Sequence, residues 1–184
     1  MMFQFLERRR SEMRLLKDLL ERAECYALAA GEQAPGAAHI LAAACDLADG
    51  SARRAFERAG ADTERYKAAL KERHSTALRH SGLPDAMAAL ADDGPPGRRR
   101  PIFDAAPSGQ AVVRQLAATR SQRRGRGLSA ADVVAVIAGA PDSLVLRLFQ
   151  SAGIDAAALQ SAATLEAAGA GQSEPAAHGV VGGP

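Results

Sequence analysis

The chain has 184 residues, enough for one ordinary domain or for two small units that share a core. Hydrophobic residues make up 47% but aromatics only 4%, and tryptophan is absent, so the core must be built from Ala, Leu, Val and Ile; with strand formers scarce, the expected fold class is all-α. A formal charge of +2, from 23 basic and 21 acidic residues, gives no global mandate for nucleic acid, two cysteines make no disulfide framework, and no apolar run approaches the ~18 residues of a membrane span.

The opening MMFQFLERRR turns charged after six residues and carries neither an apolar signal core nor a small-residue cleavage site, so a soluble, cytoplasmic protein is expected. Residues 4–30 read as one long amphipathic helix, because Leu6, Met13, Leu16, Leu19, Leu20, Ala23 and Ala27 recur at three- and four-residue steps. Gly31 ends it, and Pro35 with Gly36 makes the turn. A second helix over roughly 37–48 carries Ile40, Leu41 and Ala44 and breaks at Gly50. A short third helix holds Ala52, Ala55 and Phe56 and stops at Gly60; Asp62 then caps a fourth with Tyr66 and Leu70.

Residues 73–106 are rich in Gly and Pro and contain the run Arg98–Arg100, which predicts a linker, with a short helical piece at 85–91. Pro107 and Ser108 restart the helical pattern with Val112, Val113, Leu116 and Ala117. Ser129 and Asp132 resemble a capping box ahead of Val133, Val134, Val136 and Ile137. Asp142 is the expected cap for the helix of Leu144, Val145, Leu148 and Phe149; Gly153 closes that helix and Asp155 opens the last. From about Gly169 the composition predicts a disordered tail.

The segment RAGADTERYKAAL at 58–70 is echoed by SAGIDAAALQSAA at 151–163. Gly60 and Gly153 stand 93 positions apart, as do Phe56 and Phe149, and Asp62 and Asp155. Sliding the chain by that offset aligns the halves without a gap: Leu19 falls on Val112, Ile40 and Leu41 on Val133 and Val134, and Tyr66 on Leu159. The expected architecture is a tandem pair of pseudo-symmetric four-helix repeats, about 1–72 and about 107–168, forming one domain over 1–168 with a tail at 169–184.

This pattern resembles the N-terminal repeat domain of Clp unfoldases, most closely the ClpC type. The likeness rests on the MMFQF opening, on AECYALAAGEQAPGAAHIL (23–41), where Ala23, Ala27, Gly31, His39, Ile40 and Leu41 match, and on a second repeat beginning at Pro107. It covers about residues 1–72 and 107–168. The resemblance implies a domain that docks substrates and adaptors and does no chemistry. The chain has no G-x4-G-K-[ST] phosphate loop, so neither ATP nor any other cofactor is expected and the protein reads as a free-standing, non-enzymatic N-domain. The family's Thr-Glu pair before the histidine is Ala37-Ala38 here and Ala130-Ala131 in the second repeat. In ClpC-type domains those glutamates help hold phosphorylated arginine. Their loss predicts weak or absent phosphoarginine binding, partly restored by Ala38→Glu with Ala131→Glu.

His39, Cys25 and Cys45 lack the spacing of a metal site, and no base or oxyanion site accompanies either thiol; the expected roles are a helix-start histidine and two small core residues. Phe3 and Phe5 either bury against the domain or, with Arg8, Arg9 and Arg10, form a partner-binding patch at the start of the first helix. The expected partners of such a module are Clp substrates, adaptors or the unfoldase. The runs Arg98–Arg100 and Arg123–Arg126 support an alternative, a small nucleic-acid-associated helical protein, but they lack interleaved aromatics and a recognition helix.

Overall fold

The computed structural model describes residues 2–80, 105–122 and 127–169; side chains at 2–6, 8 and 77–80 are outside the description. The described residues form eight α-helices and no strand: α1 (Met2–Ala29), α2 (Ala37–Cys45), α3 (Ser51–Arg58), α4 (Thr63–His80), α5 (Pro107–Gln122), α6 (Ala130–Gly139), α7 (Ser143–Ala152) and α8 (Ala156–Gly169). The fold is all-α. The short helix expected at 85–91, the arginine runs at 98–100 and 123–126 and the tail from residue 170 lie outside the described residues.

Helix boundaries follow the sequence offset. α2 and α6 begin at 37 and 130, α4 and α8 at 63 and 156, and α1 and α5 end at 29 and 122. The echoed Phe-x3-Gly-x-Asp has a concrete mechanical meaning. Gly60 and Gly153 adopt φ of +67° and +70°, a left-handed conformation that costs glycine nothing. The residue after each glycine donates its N–H to the phenylalanine carbonyl, Ala61 to Phe56 at 2.9 Å and Ile154 to Phe149 at 2.8 Å, which is the Schellman closure of a helix. The aspartate then caps the following helix: Asp62 accepts from the Glu64 N–H, and Asp155 from those of Ala157 and Ala158.

Two expected boundaries shift. α2 stops at Cys45 rather than near 48, because the Asp46 N–H turns back onto the Ala43 and Ala44 carbonyls. α4 runs to His80, so residues 73–80 are helix and not linker.

All nine residues of α2 are buried, which its charge-free sequence AAHILAAAC allows. α2 packs on α6, and these two form the centre of the core. Around them the halves interlock: α3 packs on α8 and α7 packs on α4. Phe56 and Phe149 are 0% and 1% exposed and both pack near Tyr66, whose ring centroid is 6.2 Å from the first and 5.9 Å from the second. The Tyr66 hydroxyl donates to the Ala38 carbonyl at 3.1 Å, so its polar end is satisfied inside the core. α5 approaches the α1–α2 turn so closely that a Cβ at Gly109 would collide with the Pro35 carbonyl oxygen. That carbonyl also accepts the Ala106 N–H.

The apolar stripe of α1 has a different phase from the one expected. Leu19, Ala23 and Ala27 are buried as anticipated, but Met13 is 61% exposed and the stripe continues through Glu12. The Glu12 carboxylate is held by Arg120 of α5 at 3.1 Å, which is what allows a charge at a buried position. Cys25, expected in the core, is exposed for the same reason; Cys45 is buried, and burial pushes its thiol up to about 12.

Candidate docking surface

The N-termini of α2 and α6, like those of other helices, could present free backbone amides to an anion. At both, backbone amides are occupied by the protein's own side chains. On α6, the Ala130 N–H donates to Asp49 at 2.8 Å and the Ala131 N–H to the Ser51 hydroxyl at 2.8 Å. On α2, the Ala37 N–H donates to the Ser108 hydroxyl at 3.2 Å. Each half therefore caps the central helix of the other. Asp49 and Ser51 were not legible as caps for residues about 80 positions away, since nothing local marks such a partner.

The third residue of each helix reaches back to the N-cap. His39 Nδ1 accepts the Gly36 N–H at 3.2 Å, and Asp132 Oδ2 accepts the Ser129 N–H at 2.9 Å and its hydroxyl at 2.8 Å. His39 and Asp132, chemically unlike, thus do the same work at equivalent positions, the return half of a capping box. The role expected for His39 as a helix-start residue holds. Among the described residues no group of His, Cys, Asp or Glu is placed to hold a metal ion.

His39 makes stability depend on pH. It is buried, and its Nε2 is left without a hydrogen-bond partner in the structure. Burial holds its pKa below the ordinary 6.5; Glu32 pulls the other way and His74 adds to the lowering. An unfolded chain takes up a proton near pH 6.5 that the folded one refuses, so this part of the stability is full above that pH and is lost as pH falls below it. Urea unfolding between about pH 7 and about pH 5.5, above most carboxylate titrations, should show the wild type losing stability. His39→Ala should cost about 1 kcal/mol at neutral pH for the bond to Gly36, before any cavity is counted, and should flatten that acid loss. An equal loss in both proteins would reject the assignment.

A second network ties α1, α2 and α4 together. Asp46 accepts from the Tyr26 hydroxyl at 2.6 Å and from Lys67 Nζ at 2.7 Å, and Lys67 also reaches Glu64 at 2.8 Å. Burial alone would raise the Asp46 carboxyl, but the bonds from Lys67 and Tyr26 outweigh it and the net shift is downward. Burial and the bond to Asp46 push the Tyr26 hydroxyl up to about 12. This is a structural brace that joins the three helices.

The expected partner patch lies at the start of α1. The side chains of Phe3, Phe5 and Arg8 are outside the described ones. Arg9 and Arg10 are exposed, and Met13 stands on the same side of the helix, four residues from Arg9 and three from Arg10. Met13 was assigned to the core because it is apolar. Its exposure places a flexible, polarisable side chain beside Arg9 and Arg10.

Residues 14–90 match the family model of the Clp repeat (R) N-terminal domain. Neither the curated proteins nor the solved structures contain a match to the chain. The Clp repeat match begins within α1 and takes in α2, α3 and α4, and so includes His39, Ala38 and the Tyr26–Asp46–Lys67 brace. A Clp repeat N-terminal domain is a non-catalytic interaction domain of the Clp system. No helix among the described residues is long and apolar enough to cross a membrane.

Proposed function

We propose that the protein is a non-enzymatic protein-binding module of the Clp protease and chaperone system. It acts in the cytoplasm as a ClpC-type N-domain. It binds substrates, adaptors or the unfoldase, and changes degradation by occupying or delivering them. The observation that carries this reading is the Clp repeat match over 14–90. The recurrence of the same caps, closures and core positions at an offset of 93 residues supports extending it to one domain over 1–168. The amides of Ala37, Ala130 and Ala131, already bonded to side chains of the other half, support a surface that docks protein and not one that captures a phosphorylated arginine there.

A docking module works by mass action. Occupying a shared partner removes it from the unfoldase ring, while bridging raises its effective concentration there. In a reconstituted Clp degradation assay, titrating in the purified protein should change the rate for at least one substrate. Deleting residues 1–5 should weaken that effect while leaving helix content nearly unchanged. Flat rates for several substrates at large molar excess, with pull-downs that recover no Clp component, would sink the proposal. Salt-sensitive binding to DNA or RNA in the same preparation would move the nucleic-acid reading to first place.

A further inference from the structure

The pseudo-symmetry of the fold creates two equivalent seams, α3 against α8 and α7 against α4, and they are closed differently. In the α3/α8 seam the Glu166 carboxylate receives Arg58 at 2.6 Å and Arg54 at 3.1 Å. Those two bonds hold its carboxyl below the usual range. The α4/α7 seam is an open groove of about 550 Å³. Ala69 and Leu148 contribute its apolar lining, and Arg73 and Arg147 line it as well.

At the 93-residue offset Arg147 is the counterpart of Arg54, but Arg73 is the counterpart of Glu166. The groove thus keeps the arginine of the closed seam and has a second arginine where that seam has its carboxylate. No ion pair among the described residues holds Arg73 or Arg147. Glu72 shares the groove and leaves these three side chains with a net positive charge.

We propose that the α4/α7 groove is a docking site for an acidic, partly apolar segment of a partner protein, whose carboxylate takes the place that Glu166 fills in the α3/α8 seam. Arg73 and Arg147 supply charge-assisted donors to the carboxylate, and the half-buried Ala69 takes the methylenes behind it. A carboxylate is the ligand chemistry that the closed seam itself displays. This names the chemistry of a partner for the docking module proposed above and rests on that reading for its setting, while the binding itself needs no Clp component.

The test is fluorescence anisotropy of the full chain with a short labelled peptide that alternates leucine and glutamate. The wild type should bind it, and the glutamine version of the peptide should bind at least about tenfold more weakly, about 1.4 kcal/mol. Arg73→Glu restores the carboxylate of the closed seam, gives Arg147 an internal partner, and should weaken binding by at least about tenfold. Arg147→Glu should do the same, and Glu72→Gln should strengthen binding. Arg73 and Arg147 are exposed, so circular dichroism should show folded protein in both reversals.

No binding by the wild type, equal binding of the glutamine peptide, or affinity unchanged by both reversals would overturn the site. So would displacement of the peptide from the groove by inorganic phosphate or by duplex DNA at lower concentration than by unlabelled peptide. Arginine-dependent peptide binding alongside flat Clp degradation would sink the proposed function and leave the groove standing. Altered degradation with arginine-independent peptide binding would do the reverse.

Discussion

Phe149→Ala should destabilise the protein by about 3–5 kcal/mol, and Phe56→Ala by a similar amount. Both rings are buried, and both pack near Tyr66 at centroid distances of 5.9 and 6.2 Å. Removing either leaves a cavity against an aromatic face that cannot move to fill it, because the Tyr66 hydroxyl is anchored to the Ala38 carbonyl at 3.1 Å. The loss is a large part of the ~5–15 kcal/mol that holds an ordinary domain together. Since the halves interlock through these rings, unfolding of either variant should remain a single transition. Chemical denaturation followed by circular dichroism checks both points. A loss below about 1 kcal/mol, or a biphasic curve from one half melting alone, would contradict this account of the core.

Ala38→Glu and Ala131→Glu should each cost about 3–5 kcal/mol at neutral pH, the penalty for an uncompensated buried charge. Both alanines are 0% exposed and stand at the starts of the two central helices, hemmed in by the other half of the fold. The burial of both alanines argues against the expectation that glutamate at these positions would partly restore phosphoarginine binding. A side chain there faces the core, and the nearby amides already bind Ser108, Asp49 and Ser51. The sign of the pH dependence separates this mechanism from simple overpacking. Burial raises the pKa of a new glutamate above its unfolded value near 4.3. The penalty is then full above the raised pKa and is relieved as pH falls towards about 4.3. A loss of stability independent of pH would point to volume alone, and soluble, stable variants that bind phosphoarginine would show that the chain can open these sites.

Some of the candidate site could be read before the structure and some could not. Arg9 and Arg10 are exposed, as a charged run on a helix usually is. Met13 is exposed although it is apolar, because hydrophobicity alone does not set the phase of the buried stripe. The actual stripe passes through Glu12, which is tolerated only because Arg120 of α5 arrives beside it. Arg73 and Arg147 are ordinary surface arginines in the sequence. They become a groove only where α7 meets α4, and become informative only beside Glu166 in the equivalent seam.

The sequence by itself determined the helices, their punctuation and the offset that relates the halves. Those depend on contacts within about four residues: a glycine that accepts positive φ, an aspartate whose carboxylate reaches the next free amides, a phenylalanine on the apolar side. The tertiary structure alone decided which half caps which helix, which alanines are sealed from solvent and which of two equivalent seams stays open. Those outcomes depend on residues about 80 to 110 positions apart, such as Asp49 with Ala130 and Arg58 with Glu166. No local preference encodes such pairs; they form when the docking of the apolar faces brings the halves together.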